Sequence, residues 1–159
     1  HVVDEVERAI EDALGDVKSA LKSKRVVAGG GAVEVELSKR IRDYAKELSG
    51  RERLAVEEFA SALEFVPITL AENAGMDPID VMTELRSAHD MGGVNMGLNL
   101  NVERIEDCMV AGILEPLKVK TQAISSAAEV AIMILRIDDV VAARKSGGRE
   151  GKGGMSGYD

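Results

Sequence analysis

A chain of 159 residues with 45% apolar residues is long enough for one domain with a buried core. Aromatics reach only 3% and Trp is absent, so that core must be built from Val, Leu, Ile, Ala and Met, which suits helix-on-helix packing. The 20 Lys and Arg against 28 Asp and Glu leave a net charge of −8, which argues against a nucleic-acid or anionic-membrane surface and favours a soluble cytoplasmic protein.

Cys108 stands alone, so no internal disulfide can form. With His1 and His89 as the only histidines, no metal-spaced His/Cys cluster and no Ser-His-Asp set can be proposed, and Cys108 reads as a small buried residue. No apolar run approaches the about 18 residues that a membrane span requires, and no signal peptide is visible. The chain opens on His1, directly in helix-like sequence, as a fragment or processed piece would.

Residues 4–23 read as a helix, capped by Asp4, with Val6, Ile10, Ala13, Leu14, Val17 and Leu21 on one face at ~100° per residue. Glu5, Asp12 and Asp16 fall on another stripe, which periodicity alone reads as a solvated acidic face. Residues 26–31 form a short connection. A second helix is expected over 32–48, with Val33, Leu37, Ile41, Tyr44 and Leu48 in register, and a third over 52–73 with Leu54, Phe59, Leu63, Val66 and Leu70. Pro67 should kink the third helix and Gly75 close it. Asp77 as N-cap and Pro78 at the first helical position then start a helix that runs to about His89. After Met91 the texture of glycines, asparagines and short alternating runs predicts small strands joined by turns. A long helix follows over 121–138, apolar almost all round from Ala127 to Leu135 and so expected to be buried on most sides. A terminal strand is expected near Val140–Ala143, and the Gly-rich residues 146–159 form a disordered tail.

Gly29, Gly30 and Gly31 stand immediately before the second helix. Three glycines there either expose backbone N–H groups to an anion or make a sharp turn. No GK[ST] follows and the spacing is not GxGxxG, so the residues alone favour a turn without a ligand.

Several blocks taken together resemble one family: "AIEDALGDVKSAL", "VVAGGGAVEVELS", "FASALEFVPITLAENAGMDPIDVM" and "GILEPLKVKTQAISSAAEVAIMILRIDD", followed by a Gly/Met tail. They look like the C-terminal part of the equatorial domain of a group II chaperonin, the archaeal thermosome and its eukaryotic cytosolic relatives. The resemblance covers essentially the whole chain, in order. It implies a mainly α fold, a helical equatorial-domain fragment with a small β hairpin and a terminal strand, over residues 1–145. It also implies ATP-driven protein folding in a double ring of subunits, with unfolded client proteins bound by domains outside this sequence.

The family's roles fall on particular residues. Asp12 matches the aspartate that activates the water attacking the γ-phosphate, a positioning task suited to a carboxylate. Gly29, Gly30 and Gly31 match the loop lying against the sugar and base side of the nucleotide. Glu115 matches the acidic residue that accepts from the ribose hydroxyls, and Lys120 a lysine that closes over the same end. Asn99 and Leu100 fall where the adenine is held. The stretch "GLNLNVER" departs from the G-x-D-x-x-x-G of many relatives. The family's phosphate-binding and Mg²⁺-binding loops have no counterpart in this sequence, so the metal ligands are expected outside it. Two other readings remain: a nucleotide-independent helical assembly module, and an unrelated helical protein whose glycine loop is merely a turn.

Overall fold

The computed structural model describes residues 2–137, so the expected terminal strand near Val140–Ala143 and the Gly-rich segment 146–159 lie outside the described residues. Five helices and four short strands follow in the order α1 (Val2–Ser23), β1 (Val26–Ala28), α2 (Ala32–Ala45), α3 (Gly50–Asn73), α4 (Pro78–Asp90), β2 (Met96–Asn99), β3 (Arg104–Asp107), β4 (Leu114–Pro116) and α5 (Leu117–Leu135). Residues up to Ile124 make one compact unit, and those from Ser125 onward belong to a second.

Local chemistry explains the helix ends. Asp77 accepts from the backbone N–H of Ile79 (2.8 Å) and Asp80, and Pro78 follows at N1. α3 closes with the backbone N–H of Gly75 on Glu72 and that of Met76 on Ala71, with Gly75 at φ +74°. This paired return to the last carbonyls needs a left-handed residue, which glycine supplies without strain. α4 ends the same way at Gly92 and Gly93. α3 runs on through Pro67, which is buried.

The strands make two antiparallel pairs: β2 with β3 as a hairpin, and β1 with β4, where Val27 lies opposite Glu115. The second pair is not foreseen by the sequence, which reads residues 26–31 as a connection. Three residues are too few for a visible alternation, and the partner strand is distant in the chain.

The first unit's core is small. Val35, Ala71, Val81, Met82, Leu85 and Leu98 form one buried cluster and Ala28, Ala32 and Cys108 another. The buried faces of α2 and α3 differ from those expected. α2 buries Ala32, Glu34, Val35, Ser38 and Ala45, and α3 buries Ala60, Leu63, Glu64, Pro67 and Ala71. Tyr44, Leu54, Phe59 and Val66 are exposed instead. Small side chains let the two helices approach closely, and the large apolar ones are displaced outward.

Polar groups are enclosed with this core. Glu64 takes Ser38 Oγ at 2.9 Å, Arg42 at 3.0 Å and a further ion pair from Arg86. Burial pushes its carboxyl up, but the Arg86 and Ser38 hydrogen bonds and the Arg86 and Arg42 charges outweigh it, so its pKa lies below the ordinary value. His89, fully buried, donates from Nε2 to the Met96 carbonyl at 2.8 Å, since a carbonyl can only accept. Its Nδ1 meets Glu36 Oε2 at 2.9 Å, which ties α4, β2 and α2 together.

Two helices bury no residue. α1 leaves Val6, Ile10, Leu14, Val17 and Leu21 exposed along one stripe. In the second unit the apolar run of α5, whose composition calls for enclosure and which is the first to be left open where its packing segments lie outside this sequence, exposes Val130, Ile132, Met133, Ile134 and Leu135.

Contiguous apolar stripes of this kind drive association. The isolated chain should therefore sediment with a concentration-dependent mass, and Ile10→Glu with Ile134→Glu should reduce it. A parent chain that stays monomeric and unfolds in one cooperative urea transition would contradict this. Glu64 sets an acid limb. Its folded pKa is depressed, so its contribution is present above the unfolded value of about 4.3 and is lost as pH falls through the folded one. In the Arg42→Met/Arg86→Met variant only the Ser38 hydrogen bond still opposes burial, so the depression shrinks or reverses. Relative to the parent, its urea midpoint should fall less, or rise, between about pH 5 and pH 3.

Candidate functional site

The glycine loop gathers three elements. The Gly29 N–H donates to the Ile113 carbonyl (2.9 Å), just before β4, and the Leu98 N–H of β2 donates to the Gly30 carbonyl (2.8 Å). Gly30 and Gly31 hold φ +63° and +79°. A Cβ on Gly30 would stand 2.5 Å from the Leu98 oxygen and 3.0 Å from Cys108 Sγ, and one on Gly31 2.7 Å from Pro67 Cβ. A Cβ on Gly29 would meet Ile113 at 3.0 Å and Glu115 Oε1 at 3.1 Å. The space denied to side chains is thus filled by the chain's own hairpin, by Pro67 and by Cys108. The glycines admit close packing of protein on this side of the loop.

Glu115 and Lys120 meet beside the loop. β4 places Glu115 opposite Val27, and the first turns of α5 carry Lys120 inward. Lys120 Nζ lies 2.7 Å from Glu115 Oε2 and 2.6 Å from Glu34 Oε1. The lysine side chain is 12% exposed, Glu34 5% and Glu115 34%. Burial alone would lower the Lys120 pKa, but its bonds to Glu115 and Glu34 overcome that and raise it, so Lys120 is an ammonium. Glu34 Oε2 is buried with no hydrogen-bond partner.

Gly29, Gly30, Gly31, Glu115 and Lys120 are therefore brought together. Asn99 and Leu100 follow Leu98, whose backbone binds Gly30. The Asn99 amide is spent inside the hairpin, donating to Glu106 and accepting from the Asn101 N–H at 3.0 Å. Leu100 is exposed in the hairpin turn. Asp12 is exposed on α1 and takes no part in this contact set. Among the described residues no group of three or more His, Cys, Asp and Glu side chains is placed to hold a metal ion.

Sequence reasoning missed Glu34 and the contact made by Cys108. The apolar stripe assigned to α2 turned Glu34 outward, whereas the helix buries it. The Cys108 thiol is pushed up in pKa by burial and by the Glu106 and Asp107 charges, so it packs rather than attacks.

Comparison with known proteins adds to this geometry. Residues 1–145 match the TCP-1/cpn60 chaperonin family. The chain is 56% identical over 162 residues to a thermosome subunit of Methanocaldococcus jannaschii, covering 100% of this chain and 30% of that protein. It is 58% identical over 157 residues to thermosome subunit alpha of Archaeoglobus fulgidus, covering 97% of this chain and 29% of the other. The solved open-state monomer of a group II chaperonin from Methanococcoides burtonii superposes with a TM-score of 0.75 at 52% identity, over 86% of this chain and 34% of that one. The chain thus spans about a third or less of the length of these relatives.

The loop geometry predicts a graded response to alanine. Gly30→Ala meets both a left-handed φ and the Leu98 backbone, and should cost at least about 2 kcal/mol in urea unfolding. Gly50→Ala has a similar φ of +64° but nothing within 4 Å, and should cost only about 1 kcal/mol. Equal costs at the two positions would refute the packing role.

Proposed function

Because the chain belongs to the TCP-1/cpn60 chaperonin family, we propose that residues 1–145 are the C-terminal half of the equatorial, ATP-handling domain of a group II chaperonin subunit. In this reading the subunit assembles with others into a double ring in the cytoplasm and folds client proteins held by its remaining domains. The segment supplies the ribose and adenine side of the ATP site and one catalytic carboxylate.

The observation that carries the reading is the convergence of Glu115 and Lys120 on the Gly29–Gly31 loop. Glu115 Oε2 is committed to Lys120, while Oε1 lies against Gly29. A carboxylate so held is a good acceptor for vicinal hydroxyls. Lys120 balances its charge and restricts its rotamer. Asn99 and Leu100, at the edge of the hairpin, would border the adenine, Leu100 through its exposed side chain and Asn99 through its backbone. Asp12 would accept a hydrogen bond from a water and aim it in line with the γ-phosphate. Phosphate and Mg²⁺ ligands come from residues beyond this chain. The net charge of −8 fits a protein without nucleic-acid or membrane partners, and among the described residues no helix is long and apolar enough to cross a membrane.

A second reading, a nucleotide-independent assembly module, is favoured by the exposed apolar stripes of α1 and α5. One substitution separates the two. In a complete subunit carrying this segment, Asp12→Ala should lower ATP turnover by about 10²-fold or more and leave nucleotide affinity within about twofold. Turnover unchanged by Asp12→Ala would remove the catalytic role, and a subunit without nucleotide affinity would favour the assembly module.

A further inference from the structure

The ion cluster beside the glycine loop holds more than the two residues assigned to the ribose. Lys120 Nζ sits between two carboxylates, Glu115 Oε2 at 2.7 Å and Glu34 Oε1 at 2.6 Å. One ammonium against two carboxylates leaves a negative charge behind. The deeper carboxylate, Glu34, is 95% enclosed, and its second oxygen has no partner. A buried acceptor left unsatisfied is costly, and a buried ion pair is often replaced by apolar side chains without loss of stability. Stability is therefore a poor account of Glu34.

Geometry gives a better one. Lys120 has a long flexible stem and, with Glu115 alone, would swing with it toward solvent. Glu34, fixed in the first turn of α2 just after Gly31, holds the ammonium from the inner side. Glu115 is then clamped through Oε2, and Oε1 is left over Gly29. The glycine loop, the α2 start and the β4–α5 junction thus fix one carboxylate oxygen in advance.

We propose that Glu34 is a positioning residue for ribose recognition: through Lys120 it holds Glu115 in the orientation that accepts from a nucleotide's ribose hydroxyls. This rests on reading Glu115 as the ribose acceptor. Glu34 touches no substrate. It removes the rotamer freedom that Glu115 would otherwise lose on binding.

The test is equilibrium binding of ATP and 2′-deoxy-ATP to a complete subunit carrying this segment, measured by calorimetry. The parent should prefer ATP by about tenfold or more, as a hydroxyl bound to a carboxylate warrants. Glu115→Ala should abolish the preference. Glu34→Leu should reduce it to nearly the same level, and Glu34→Leu/Glu115→Ala should lose no more than Glu115→Ala alone. Glu34→Gln, which keeps the length and an acceptor for Lys120, should restore most of it. If Glu34→Leu does not fold, Glu34→Met/Lys120→Met removes the buried pair, leaves only the partly exposed Glu115 carboxylate without its counter-ion, and should also lose the preference. Parental discrimination in Glu34→Leu or in the pair-removed variant would overturn the positioning role while leaving Glu115 in place. Parental discrimination in Glu115→Ala would have a different meaning: the ribose reading itself would fall, and this inference with it.

Discussion

The site rests on backbone meeting backbone at Gly29–Gly31. Close contacts at Gly30 and Gly31 that no side chain would allow, and a tight one at Gly29, draw the β2–β3 hairpin, Pro67 of α3 and the residue before β4 onto one loop. Each contact fixes an element that sequence separation would otherwise leave independent. The β1–β4 pair follows, since Gly29 extends it by one hydrogen bond to Ile113. The Glu115–Lys120–Glu34 cluster follows from that pair, because β4 delivers Glu115 and the turn into α5 delivers Lys120.

Charge does much of the work that aromatic side chains do in other cores. The interior is lined by alanines and a few larger aliphatics, and close helix approach leaves little apolar area to bury. Into it the chain places Glu64 between two arginines, His89 between a carboxylate and a carbonyl, and Glu34 on a lysine. Such groups stabilise only as sets. Removing one partner strands the other in a poorly solvated place, with a cost of about 3–5 kcal/mol that exceeds what the intact pair contributes. These positions therefore tolerate substitution badly for a reason unrelated to volume.

Much of the helical framework is legible in the residues. Asp77-Pro78 and Gly75 announce a helix start and a helix stop because capping chemistry is local. Faces are less legible. Ranking α2 by hydrophobicity selects Leu37 and Tyr44, yet packing selects Ala32, Val35 and Ser38, because helix proximity is decided by what is small. α5 starts at Leu117, earlier than its apolar run suggests, since "LKVK" has the composition of a strand edge. The three glycines declare a backbone constraint, though not which atoms impose it. Reading Asp12 as part of a solvated face agrees with its exposure on α1, while its catalytic role comes only from family resemblance. Glu34 was out of reach: a glutamate in "AVEVELS" has the pattern of a surface residue, and only the lysine 86 positions later makes it an interior one.

The β1–β4 ladder also dictates an order of events during synthesis. Joining Val26 to Pro116 closes a loop of roughly 90 residues, and the entropy of that closure must be met by a ladder of only three residue pairs. Helices α2 to α4 and the β2–β3 hairpin make contacts over shorter spans and can mature first. While the ribosome is still adding β4, the glycine loop already exists but lacks its carboxylate and its ammonium. The Glu115–Lys120–Glu34 cluster is thus completed late, after the helical scaffold that it joins.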